Sequence, residues 1–130
     1  MLFRSVEEQV LGHRREPDVR FFLRDRPGVL YRRRGDVVGY GFEPGPGGSF
    51  GPIALLDPGD VPAALGHLET AAYEQSLERL DVLLPLANRT GVDWLLRRGF
   101  LIEPFWVLYL ADAPFARYDR YVTTAPPAIL

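Results

Sequence analysis

Proline and glycine punctuate this chain at intervals too short for any long helix. Pro17, Pro27-Gly28, Pro44 to Gly48, Asp57 to Asp60 and Gly99 each close an element, because proline has no amide hydrogen to donate and glycine favours turns. Only short segments survive between these breaks, so stability must come from packing several of them together.

The segments alternate in character. Residues 5–14 read as a short helix, with Ser5 and Glu8 at capping-box spacing and Val6, Val10 and Leu11 as its apolar stripe. Residues 18–24 read as a second helix, with Val19, Phe22 and Leu23 on one side. Val29 to Tyr31 and Val37 to Phe42 read as strands joined through Arg34-Gly35-Asp36. On the second of these, Val38, Tyr40 and Phe42 share one face and Val37, Gly39 and Gly41 the other. A third strand is expected over 50–56. Asp60 is expected to cap a helix reaching about Ser76, with Val61, Leu65, Leu68 and Ala72 as its stripe. Residues 80–86 read as a strand buried on both faces. Asn88 is expected to cap a helix that packs Val92, Leu95 and Leu96 and ends at Arg97-Arg98-Gly99. A long strand over 100–110 and an edge strand over 118–124 complete the series, and Pro126-Pro127 belongs to the tail.

The order α-α-β-β-β-α-β-α-β predicts an α/β chain of the α+β kind, in which a mixed, twisted sheet of about six strands carries helices on both faces. One domain is expected over 1–130, since domains of this length are common. Its parts are a helical segment (1–28), an antiparallel meander (29–56), a βαβ-type half (57–110) and a C-terminal strand and tail (111–130).

Composition excludes whole classes of chemistry. Cysteine is absent, which removes disulfides, thiolate nucleophiles and thiolate metal sites. His13 and His67, the two histidines, lie too far apart in sequence for a metal pair, and each reads as a surface residue. No apolar run approaches the ~18 residues of a membrane helix. With Glu7 and Glu8 so early, the N-terminus lacks a signal-peptide block, so a soluble cytoplasmic protein is expected. The net charge is −2, yet residues 1–34 hold nine Arg against five acids. Without interleaved aromatics or a recognition motif, this basic half is not read as a nucleic-acid surface.

Three sequence elements in one order carry a family resemblance. They are GDVVGYGF (35–42), GPIALLDPGDVPAAL (51–65), and Asn88 followed eleven residues later by Gly99-Phe100. Together they resemble the GNAT acyltransferase superfamily over roughly Pro17 to Leu110, with that family's first strand missing. The resemblance implies N-acetyl transfer from acetyl-CoA, or another acyl-CoA, to an amine. It places the acyl-CoA in a splay between parallel strands 50–56 and 80–86. Pantetheine would pair with the backbone of Ile53, Ala54 and Leu55. The pyrophosphate would sit on the loop at Gly59, Asp60 and Val61, and Asn88 would make a polar contact near the splay.

Two departures from the family pattern bear on activity. The usual Q/R-x-x-G-x-G/A is replaced by Leu56-Asp57-Pro58-Gly59-Asp60-Val61-Pro62, with two carboxylates and two residues that lack an amide hydrogen. The tyrosine that often follows the Asn by seven residues is Leu95 here. Glu43 and Glu103 remain as candidate bases. Tyr109 is the candidate acid, with Tyr40 and Tyr73 as alternatives. A second reading keeps the fold without the chemistry, as a binding or regulatory module acting through a homodimer or a protein partner, with Phe105, Trp106 and Phe115 at its face. A third is an unrelated α/β binding domain.

Overall fold

A computed structural model describes residues 2–14, 16–46, 48, 50–104, 108, 110–113 and 116–124. It contains helices α1 (Leu2–Leu11), α2 (Glu16–Asp25), α3 (Val61–Glu74) and α4 (Arg89–Arg97), and strands β1 (Gly28–Arg33), β2 (Asp36–Phe42), β3 (Ile53–Leu55) and β4 (Tyr121–Val122). The architecture is α+β: one open antiparallel sheet in the order β1-β2-β3-β4 with helices packed against it. Among the described residues, no helix is long and apolar enough to cross a membrane.

The β1–β2 hairpin forms where the sequence predicts it. Arg33 pairs with Asp36, leaving Arg34 and Gly35 as a two-residue turn with φ of 51° and 90°. Positive φ at both central positions matches the right-handed twist of the strands, and Gly35 takes it without strain. At the far end, β2 pairs with β3 through Gly39–Leu55 and Tyr40–Ala54. β3 in turn pairs with β4 through Ile53–Val122 and Ala54–Tyr121.

Strand alternation divides the core in two. Ile53, Leu55 and Val122 face α3 and α4, where they meet Val61, Ala64, Leu65, Leu68 and Leu95. Tyr40, Phe42, Ala54 and Tyr121 face the other side, where Val6, Val10 and Leu11 of α1 and Phe22 of α2 cover them. Helices on both faces are therefore as expected, and each large apolar side chain so buried contributes roughly 1.5–3 kcal/mol. Gly39 lies on the α3 side because nothing larger fits there: an added Cβ would stand 2.5 Å from Leu55 Cδ2 and 2.6 Å from the Ala54 carbonyl oxygen. Close strand packing accounts for this position without a ligand.

The second half departs from expectation. Among the described residues the sheet has four strands, not about six. Residues 80–86 form no strand; the Leu83 carbonyl instead accepts from the Thr123 amide, 3.2 Å away, at the end of β4. The neighbours of β3 are β2 and β4, both antiparallel, so the parallel pair 50–56 and 80–86 is not formed. β4 takes that edge because Tyr121 and Val122 supply one large side chain to each core. The described part of 100–110 is likewise not strand, and Pro126-Pro127 lies outside the described residues.

Helix starts also shift. α1 begins at Leu2, so Ser5 lies inside the helix and not at its cap. Asp60 makes no capping bond to α3. Asp57 instead caps a preceding 3-10 turn by accepting from the Gly59 amide.

A buried arginine ties the ends together. The Arg26 side chain is only 3% exposed and lies over the Phe22 ring, 5.0 Å from its centroid. It donates from Nη1 to the Gly51 carbonyl and to Thr124 Oγ1, each at 2.8 Å, and from Nη2 to Asp25 at 2.6 Å. Replacing Arg26 with Met should cost about 3 kcal/mol, because two buried acceptors lose their donor. Asp25→Asn should cost less, about 1–2 kcal/mol, because the guanidinium loses the charge that pairs it but keeps both acceptors of Nη1. Urea unfolding of the two variants measures the contrast.

Candidate functional site

Glu43 follows the last residue of β2, where its amide donates to the Pro27 carbonyl at 2.9 Å. Two turns into α3, His67 projects back toward it. Their side chains meet at 2.8 Å between Nε2 and Oε1, with exposures of 39% for His67 and 25% for Glu43. Tyr31, opposite Gly39 in the hairpin register, places its ring edge-on to the imidazole at 5.7 Å and 85°. The space it fills lies over glycine: its hydroxyl would be 3.1 Å from a Cβ built on Gly41. Burial first, and the Glu43 carboxylate second, push the Tyr31 phenol well above its ordinary value of 10.0.

The Glu43 carboxylate and the His67 imidazole form a half-buried pair able to hold and transfer a proton, with the Tyr31 ring packed against the imidazole. Of the expected site residues, only Glu43 belongs to it. Tyr31 and His67 escape a reading of the sequence, since no spacing links residues 31, 43 and 67. Two local signs were present: the Gly39/Gly41 gap calls for an aromatic on the paired strand, and His67 lies beside the apolar stripe of α3. His67 keeps 39% of its side chain exposed, as a surface reading expects, but is paired there with Glu43, whereas His13 is exposed and its Nδ1 faces the Leu11 carbonyl.

The other expected residues are placed elsewhere. Glu103 is exposed and pairs with Arg79. Tyr40 is fully buried on the α1 side and donates to Glu7 at 3.3 Å. Tyr73 is exposed on α3. Tyr109, Phe105, Trp106 and Phe115 lie outside the described residues. Leu95 is core, as its sequence position suggested. Among the described residues, no group of three His, Asp or Glu side chains could hold a metal.

The expected cofactor elements are bonded internally. Ile53, Ala54 and Leu55 are buried and paired with the strands on either side. In the loop before α3, the Gly59 amide donates to Asp57 Oδ1 at 2.8 Å and the Asp60 amide to the Asp57 carbonyl at 3.1 Å. The Val61 amide donates to the Pro58 carbonyl. The Asp60 carboxylate pairs with Arg33, and among the described residues its buried Oδ2 has no partner. Arg120 adds a cation nearby, yet its Nη1 donates to the Leu56 carbonyl at 2.6 Å. A diphosphate would meet two carboxylates where it needs free amides, so these residues do not fit that group.

Asn88 is wholly buried, and both atoms of its amide make structural bonds. Its Oδ1 accepts from the Gly91 amide at 3.0 Å, capping α4, and its Nδ2 donates to the Tyr121 carbonyl at 3.1 Å. That second bond fastens α4 to β4.

Asn88→Ala should therefore lose about 2 kcal/mol of stability in denaturant unfolding, through both the cap and an unpaired carbonyl. Tyr31 predicts a pH effect. Its folded pKa is raised, so stability is complete below the unfolded value of 10.0 and falls as pH climbs beyond it, where the unfolded chain alone ionises. Unfolding of wild type and Tyr31→Phe between neutral and strongly alkaline pH should show a shallower alkaline decline in the variant.

No protein-family model, curated protein or solved structure matches this chain.

Proposed function

We propose that this chain is a cytoplasmic binding module of GNAT-like fold that works through contact with a second copy of itself and without acyl-CoA. The observation that carries this reading is the loop before α3, where Asp57 takes the Gly59 amide and Asp60 stands at the helix entrance. The doubly paired β3 agrees with it. Leu101, Ile102, Leu108 and Leu110 are exposed, and apolar side chains gathered on one segment favour a protein contact.

A second reading, N-acetyl transfer from acetyl-CoA to an amine, draws on the Glu43–His67 pair, whose geometry suits removal of a proton from an attacking amine.

Calorimetric titration with acetyl-CoA and free CoA separates the two. The binding-module reading expects no heat even at millimolar ligand, and micromolar binding would replace it with the transferase. Sedimentation velocity tests the partner: the wild-type chain should self-associate, and Leu108→Ser with Leu110→Ser should return it to monomer. A wild-type chain that stays monomeric at all concentrations rules out the second copy.

A further inference from the structure

The Glu43–His67–Tyr31 cluster supports more than a fold contact. A carboxylate only accepts hydrogen bonds, so the His67 nitrogen facing Glu43 Oε1 at 2.8 Å carries the hydrogen. In the neutral imidazole Nδ1 then keeps its lone pair, and among the described residues none bonds to it. Two neighbours hold the ring in this pose: the carboxylate at its Nε2 edge and the Tyr31 ring standing edge-on. The imidazole remains 39% exposed, so a small molecule in solution can reach it. An imidazole oriented by a carboxylate at one nitrogen, with the other nitrogen unbonded, is the arrangement that makes histidine a good base and nucleophile.

We propose that His67 is a nucleophilic imidazole oriented by Glu43, and that it accepts acyl groups from activated carbonyl compounds such as aryl esters, with water as the final acceptor. The Nδ1 lone pair attacks the ester carbonyl carbon. The carbon–oxygen bond to the aryl oxide breaks, and the aryl oxide leaves with that electron pair. The Nε2 proton moves toward Glu43 as positive charge builds on the acylated ring, then returns. Water adds to the acyl carbon, the carbon–nitrogen bond breaks, and the carboxylic acid departs. His67 is regenerated with one proton released to solvent. His67 is the catalytic residue in this scheme and Glu43 a positioning residue.

The test uses the full chain and p-nitrophenyl acetate. No nucleotide is present, so the result is independent of whether acyl-CoA binds. Release of p-nitrophenolate should fall about tenfold or more in His67→Gln, fall by a smaller factor in Glu43→Ala, and stay unchanged in His13→Gln. Circular dichroism melts confirm that each variant is folded. Mass spectrometry of acid-quenched digests should find the acetyl group on His67. Nitrogen-15 NMR should show a single Nε2–H tautomer in the wild-type chain and a mixture in Glu43→Ala. Equal rates for wild type and His67→Gln, or acetylation of His13 alone, overturn the proposal. A mixed His67 tautomer in the wild-type chain overturns the positioning role of Glu43.

Discussion

The guanidinium of Arg26 holds together segments that the chain keeps far apart. It stands just past α2 and binds the Gly51 carbonyl ahead of β3 and the Thr124 hydroxyl beyond β4. Thr124 in turn donates to the Phe50 carbonyl at 2.7 Å. A charge so buried is tolerable only when fully bonded and paired, and here Asp25 and the face of Phe22 complete its surroundings. The geometry therefore demands that α2, the approach to β3 and the end of β4 converge on one point. Placing β4 beside β3 follows from that convergence, and so does the loss of the parallel strand pair expected beside β3.

Both cores depend on this placement. β4 is only two residues long, yet Tyr121 supplies the α1–α2 core and Val122 the α3–α4 core. Asn88 secures the arrangement from the other side by bonding the Tyr121 carbonyl while capping α4. The residue that most resembles a cofactor contact is thus committed to joining two elements. The Asp57 turn follows the same logic, since a loop that satisfies its own amides needs no anion.

The hairpin, its turn, and the stripes of α1 and α3 were legible because each depends on neighbours within a few residues. Arg34-Gly35 must turn, and Val61, Leu65 and Leu68 must share a face. Residues 80–86 misled for a physical reason: an apolar run records burial but not which partner supplies its backbone hydrogen bonds. Here that partner is a segment forty residues later in the chain. Glu43 was recognisable as a candidate acid–base group from its strand-end position. Its pairing with His67 was not, since the two meet only after α3 folds across the sheet.

By itself, the amino-acid sequence determined an α+β chain of short elements without cysteine chemistry, and a meander followed by a helix whose apolar stripe seeks the sheet. These properties come from periodicity, turn chemistry and composition, which act over a few residues at a time. Only the tertiary structure decided which strand lies beside β3, whether the loop before α3 has amides to spare, and that Tyr31, Glu43 and His67 share one place. Each of those depends on long-range partners, and a hydrogen bond between distant residues leaves no mark in the spacing of either one.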